Sequence, residues 1–189
     1  MELYGSYTSP FARHCRIALI ESGLPFTFVE TDATQSALLS PTQKVPFLKY
    51  KEDGAEKMLT DSSTILKYIR EASTENFFEN VLDFNNYCTA NTLMDTAINL
   101  FYMEKDGFTP KHSAYLTRQQ ARLQSGLAQL NQLPFAKKTH FNDTELRIAC
   151  FLDWALFRER ITLKEYRNLA TFLDDIRQYP VFASTKPKA

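Results

Sequence analysis

The chain has 189 residues, room for one large domain or for two small ones sharing an interface. Its 44% apolar and 23% charged residues are ordinary globular values and exclude the sparse, highly charged composition of a disordered chain. Lys and Arg total 22, as do Asp and Glu, so no net charge draws the protein to nucleic acid or to an anionic membrane surface.

No apolar run approaches the roughly 18 residues of a membrane span. The opening MELYGSYTSPFARHCR lacks a basic start followed by an apolar block. Cys15, Cys88 and Cys150 are odd in number and widely spaced, with no CxxC pair and no Cys/His ligand spacing. Neither a disulfide framework nor a metal site is expected. A cytoplasmic protein without membrane or nucleic-acid partners fits these features.

In chain order, Met1 to Tyr4 reads as a strand closed by Gly5. Ser9-Pro10 places a capping hydroxyl before a proline at the first helical position, and a helix with Phe11, Cys15, Ala18 and Leu19 on one side runs to Ser22 and stops at Gly23. Phe26 to Thr31 alternates as a second strand, parallel to the first because a helix connects them. Val45 to Tyr50 and Lys57 to Leu59 flank Glu52-Asp53-Gly54, a hairpin turn, and are expected to be antiparallel. Thr60-Asp61-Ser62 caps a helix carrying Ile65, Leu66 and Ile69, giving the order βαβ then ββα to about Ala72.

From Asn80 only helical periodicities remain. Phe84 to Phe101, Leu116 to Leu130, Leu146 to Phe157 and Leu169 to Ile176 form four stripes, the last ended by Pro180. Asn142 and Glu145 have capping-box spacing before the third. Ser73 to Phe78 reads as the linker between the two halves.

The segments SPFARHCRIALIESGLPF at 9–26, SPTQKVPFL at 40–48, TDSSTILKYI at 60–69 and FNDTELRIACFLDWALFR at 141–158, with the tail DDIRQYPVFASTKPKA, stand in an order that resembles the cytosolic glutathione S-transferases, of the serine-type, bacterial-like kind. The resemblance implies an α/β plus all-α fold: a thioredoxin-like, glutathione-binding domain over 1–75 and an all-helical domain over 80–189. It also implies a homodimer. The chain is shorter than many members, which predicts a more open acceptor pocket with no extra C-terminal helix over it.

Glutathione carries a thiol, two carboxylates and an ammonium group, so its site needs cradles for anions and a means of favouring thiolate, since a free thiol has a pKa of about 8.5. Ser9 lies where a loop becomes a helix, so a sulfur beside it would feel backbone donors and the positive end of the helix dipole. Its hydroxyl is either only a cap or also the thiol-activating donor, the role that the resemblance implies. Tyr7 and Ser6 are rival hydroxyls; the spacing to Arg13 and Arg16 favours Ser9. Cys15, on the apolar face, reads as packing, as do Cys88 and Cys150.

The resemblance further implies a cis Val45-Pro46 bond, with the Val45 backbone pairing with the peptide-like middle of glutathione and Lys44 meeting its glycyl carboxylate. Gln43 stands where relatives often have glycine. Asp61 and Ser62 open a helix whose N–H groups suit the γ-glutamyl carboxylate, while Asp61 suits the ammonium. The acceptor pocket is expected between the Ser9 loop and the first helices of the second domain, with Phe11, Asn99, Tyr102, Met103 and Phe108 as candidates for an apolar electrophile. Asp153, on a buried helical face, reads as a structural group satisfied by internal donors.

Three functions follow: conjugation of glutathione to a small apolar electrophile, with no metal; a non-catalytic binding or regulatory protein on the same fold; and a glutathione-dependent reductase, isomerase or peroxidase. A reductase requires a reactive cysteine, and only Cys15 stands near Ser9.

Overall fold

The computed structural model describes residues 1–135, 137 and 140–187. Contacts divide the chain into two units, one formed by Met1–Phe77 with Pro180–Ala189 and the other by Phe78–Tyr179. The tail from Pro180 thus groups with the α/β unit.

The first unit is built on β1 (Glu2–Gly5), α1 (Pro10–Ser22), β2 (Thr27–Glu30), α2 (Ala33–Leu39), β3 (Phe47–Glu52), β4 (Ala55–Leu59) and α3 (Ser62–Ala72). Its sheet has the order β2-β1-β3-β4. β2 is parallel to β1, with Leu3 opposite Phe28, as the intervening helix requires. β3 is antiparallel to β1, with Leu3 opposite Leu48, and β4 antiparallel to β3, with Leu48 opposite Leu59. Asp53 and Gly54 both have positive φ, 51° and 79°, the mirror-image turn whose twist suits a two-residue hairpin. α1 and α3 pack on each other and on the sheet, and Leu3, Leu48, Ile17, Ile65, Leu66 and Ile69 are fully buried. A Cβ at Gly5 would lie 2.7 Å from that of Ala12. Only glycine lets the end of β1 approach α1 so closely.

Two features depart from the sequence reading. α2, capped by a reciprocal box between Asp32 and Gln35, occupies a stretch to which the sequence reading assigned no element. Pro180 does not end α7 (Arg167–Ile176) but opens a short helix, α8 (Pro180–Ser184), because a residue without an N–H costs nothing in a first helical turn. α8 is fastened to α1: Arg13, itself buried, donates to the Phe182 carbonyl at 3.0 Å and to Thr185 Oγ1 at 3.3 Å and lies 3.8 Å over the Phe182 ring.

The second unit comprises α4 (Val81–Lys105), a 3-10 turn at Pro110–His112, α5 (Ala114–Leu130), α6 (Asp143–Phe157) and α7. α4 packs on both α5 and α6, and α6 is buried from Asp143 to Ala155. The expected capping box closes: Asn142 Oδ1 accepts the Glu145 N–H at 2.9 Å and Glu145 Oε2 accepts the Asn142 N–H at 3.0 Å. Asp153 is satisfied as expected, its Oδ1 accepting from Arg177 Nε at 3.0 Å and Nη2 at 2.6 Å. No helix among the described residues is long and apolar enough to cross a membrane.

Candidate functional site

Sheet register brings the three predicted glutathione segments to one end of the first unit. β1 runs toward Gly5, and its Tyr4 faces Phe47, the first residue of the antiparallel β3. Val45-Pro46 therefore enters the sheet where the Ser9 loop leaves it. β4 runs back so that Leu59 faces Leu48, which returns Thr60-Asp61-Ser62 to the same end. The N-termini of α1 and α3 open there, and the two meet where the Cys15 thiol donates to the Ser62 carbonyl at 3.8 Å.

Ser9 caps α1: its Oγ accepts the Ala12 N–H at 3.2 Å. Among the described residues its O–H donates to nothing, so the cap leaves a hydrogen free to donate. The rivals are engaged elsewhere. Ser6 Oγ accepts the Thr8 N–H at 3.2 Å and lies 3.0 Å from the Thr8 hydroxyl. The Tyr7 ring rests on Phe28, with centroids 4.8 Å apart, and the Arg16 guanidinium covers both rings at 4.8 and 4.9 Å. Tyr7 is thus drawn toward β2, the strand on the far side of β1 from β3.

The Val45-Pro46 peptide bond is cis. Neither the N–H nor the carbonyl of Val45 bonds to another described residue, so this half-buried backbone offers a donor and an acceptor to an extended ligand. Lys44 is exposed and forms no ion pair among the described residues. Gln43 has φ 54°, the left-handed region that favours glycine. Its turn is held from both sides, the Gln43 N–H donating to the Ser40 carbonyl at 2.9 Å and Ser36 Oγ donating to the Gln43 carbonyl at 3.4 Å. Ser36 and Ser40 belong to the α2 segment that the sequence reading left out, although the Asp32…Gln35 spacing was a usable sign of it.

Asp61 caps α3, its Oδ1 accepting the N–H groups of Ser63 at 2.8 Å and Thr64 at 3.2 Å. The carboxylate is exposed, while Ser62 beneath it is buried. An α-amino acid end suits such a place, its carboxylate at the helix start and its ammonium at Asp61. Cys15 is fully buried, a packing residue at this junction.

The five acceptor-pocket candidates fall in different units. Phe11 is half-buried at the start of α1, whereas Asn99, Tyr102 and Met103 are exposed on α4 and Phe108 just beyond it. A cavity of about 560 Å³ in the helical unit, lined by Leu123, Leu127 and Tyr166 among others, contains none of the candidate residues. Two phenols are held above their ordinary pKa, Tyr4 by burial and the Glu2 carboxylate and Tyr68 by burial, Tyr50 and Glu52, and both belong to the sheet packing.

Residues 3–77 match the family model described as Glutathione S-transferase, N-terminal domain. No curated protein sequence matches the chain. Among solved structures, a glutathione S-transferase of Methylobacterium radiotolerans in complex with glutathione sulfonate is 23% identical, with TM-score 0.84 over 100% of this chain and 95% of that one. A glutathione transferase family member of Pseudomonas fluorescens with bound glutathione gives 23% and 0.84, covering 100% and 99%. A glutathione S-transferase of Methylobacillus flagellatus with bound glutathione gives 21% and 0.82, covering 99% of each. Residues 3–77 are therefore similar to a glutathione S-transferase N-terminal domain, and the chain has the glutathione S-transferase fold.

Proposed function

We propose that this chain is a glutathione transferase, which binds glutathione at the end of its sheet and conjugates it to a small electrophile. The observation that carries this reading is the meeting of Ser9, Val45-Pro46 and Asp61-Ser62 at one sheet end. Asp61 and the start of α3 hold the γ-glutamyl end, the Val45 backbone pairs with the cysteinyl peptide, and Lys44 meets the glycyl carboxylate. The thiol then lies at the start of α1. Two effects there lower its pKa: the field of the unsatisfied helix N–H groups and a hydrogen bond donated by Ser9. Both favour the charged form, so the thiolate fraction rises at neutral pH.

The burial of Cys15 disfavours a reductase that would use it as nucleophile. A purely binding role differs from the transferase in one measurable respect, turnover. The same reading takes the protein to be a cytoplasmic homodimer acting in detoxification.

Calorimetric titration with glutathione, paired with chlorodinitrobenzene conjugation, tests the proposal. Saturable binding is expected, weakened about tenfold or more in Asp61→Ala, the loss of a charge-assisted contact. Ser9→Ala should bind glutathione but turn over at least about tenfold more slowly. Absence of binding to the wild type would refute the glutathione site. Binding without conjugation of any electrophile would leave a binding module, and abolished turnover in Tyr7→Phe with full turnover in Ser9→Ala would move the activating hydroxyl to Tyr7.

A further inference from the structure

The end of α4 and the segment after α6 gather three cations around one aromatic ring. Lys105 Nζ lies 4.8 Å from the Phe101 ring centre, the Arg158 guanidinium 5.4 Å and the Arg160 guanidinium 5.7 Å. The cluster extends outward: Lys105 reaches the Tyr102 ring at 6.0 Å, and Arg158 lies 4.8 Å over Phe157. Phe101 is edge-on to both Tyr102 and Trp154, which fixes it from the side and from below.

Cations so close together repel one another unless carboxylates intervene. Glu104 pairs with Arg160 and neutralises one of the three. Asp106 and Glu159, the neighbouring carboxylates, are exposed and pair with none of them among the described residues. Lys105 gains from the negative end of the α4 dipole and Arg158, which caps the C-terminus of α6, from that of α6, but neither pairs with a carboxylate among the described residues. Arg158 Nε is buried and has no hydrogen-bond partner among the described residues. Around these two charges lies exposed aromatic surface, Tyr102 at 59% and Phe157 at 42% exposure.

We infer that this cluster binds an aromatic molecule carrying a carboxylate or sulfonate. The ring rests against Tyr102 and Phe157, and the acid group is met by Lys105 and by the Arg158 N–H groups. Cation and aromatic surface favour the same ligand, because the anion gains the two charges while its ring replaces water on the two side chains. The site lies wholly within the helical unit, and its occupancy can be measured without glutathione.

The test is direct binding of dinitrobenzoate, which cannot react, to the full chain without glutathione, beside neutral dinitrobenzene. Dinitrobenzoate should bind about tenfold more tightly than dinitrobenzene, and Lys105→Ala with Arg158→Gln should abolish that preference. Because Arg158 is half-buried, the single exposed variant Lys105→Glu is measured as well and should weaken the anion alone. Melting curves establish that each variant is folded. Equal binding of the two probes to the wild type, or a preference that survives in folded variants, would overturn the inference. Dinitrobenzoate binding with no glutathione binding in a parallel titration would uphold the anion site and remove the transferase reading.

Discussion

On the proposed transferase reading Ser9 combines two roles in one hydroxyl, and the two can be separated by substitution. The lone pair accepts the Ala12 N–H and starts α1, while the hydrogen points to no described acceptor. Ser9→Ala removes both, costing about 1 kcal/mol of capping in addition to the donor. Ser9→Asp separates them, because aspartate caps a helix as well as serine but, ionised, donates nothing and repels a thiolate. Ser9→Asp should therefore melt close to the wild type, above Ser9→Ala, yet conjugate chlorodinitrobenzene more slowly than either. Wild-type turnover in both variants would reduce Ser9 to a cap. Tyr7 offers no such pairing of roles, since its ring is committed to Phe28 under Arg16.

Elements whose signals were local and buried were legible in the sequence. α1 starts and stops where Ser9-Pro10 and Gly23 said it would, and the Glu52-Asp53-Gly54 turn gave the β3–β4 pairing. α6 was legible from its cap, and the cap bears measurement: Asn142→Ala removes the acceptor of the Glu145 N–H and releases Glu145 from the Asn142 N–H. At a helix buried from Asp143 to Ala155, the loss should be about 1 kcal/mol, or a melting point lower by roughly 2–4 °C for a chain of this size. No shift in the melting curve would show that the box is redundant with the packing of α6. α2 was illegible for the opposite reason. Its two leucines, Leu38 and Leu39, are exposed, so seven residues carry no apolar periodicity and only the cap betrays them. The site divides likewise. Ser9, Asp61 and Ser62 announced themselves as caps, whereas the unpaired Val45 backbone and the left-handed Gln43 are properties of the chain's path that no side-chain pattern encodes. The cis state of Val45-Pro46 came from resemblance alone.

At the scale of the whole molecule the proposed homodimer would need an apolar face, and the helical unit offers one. Asn80 caps α4 with its Oδ1 on the N–H groups of Leu82 at 2.9 Å and Asp83 at 3.0 Å, so the first turn is well formed. That turn is nevertheless apolar on its outside: Val81 is 76% exposed and Leu82 71%, with Phe84 beside them. Scattered exposed apolar residues are normal, but three of four consecutive positions at a capped, ordered helix start keep a contiguous patch in water. Fully burying a side chain such as Val or Leu is worth roughly 1.5–3 kcal/mol, and two-fold symmetry counts each contribution twice. A dimer using this patch should sediment at twice the chain mass, and Leu82→Glu should yield a monomer by placing a carboxylate against apolar surface on both sides of the axis. Because Leu82 is exposed and its N–H bond to Asn80 is unaffected, the variant should fold, with α6 and the sheet end as in the wild type. Sedimentation of the wild type as a monomer, or of Leu82→Glu as a dimer, would exclude this face. Glutathione titration of the monomeric variant then has a definite reading: every residue proposed to hold glutathione lies in Met1–Phe77 of the same chain, so affinity should persist when the dimer is lost.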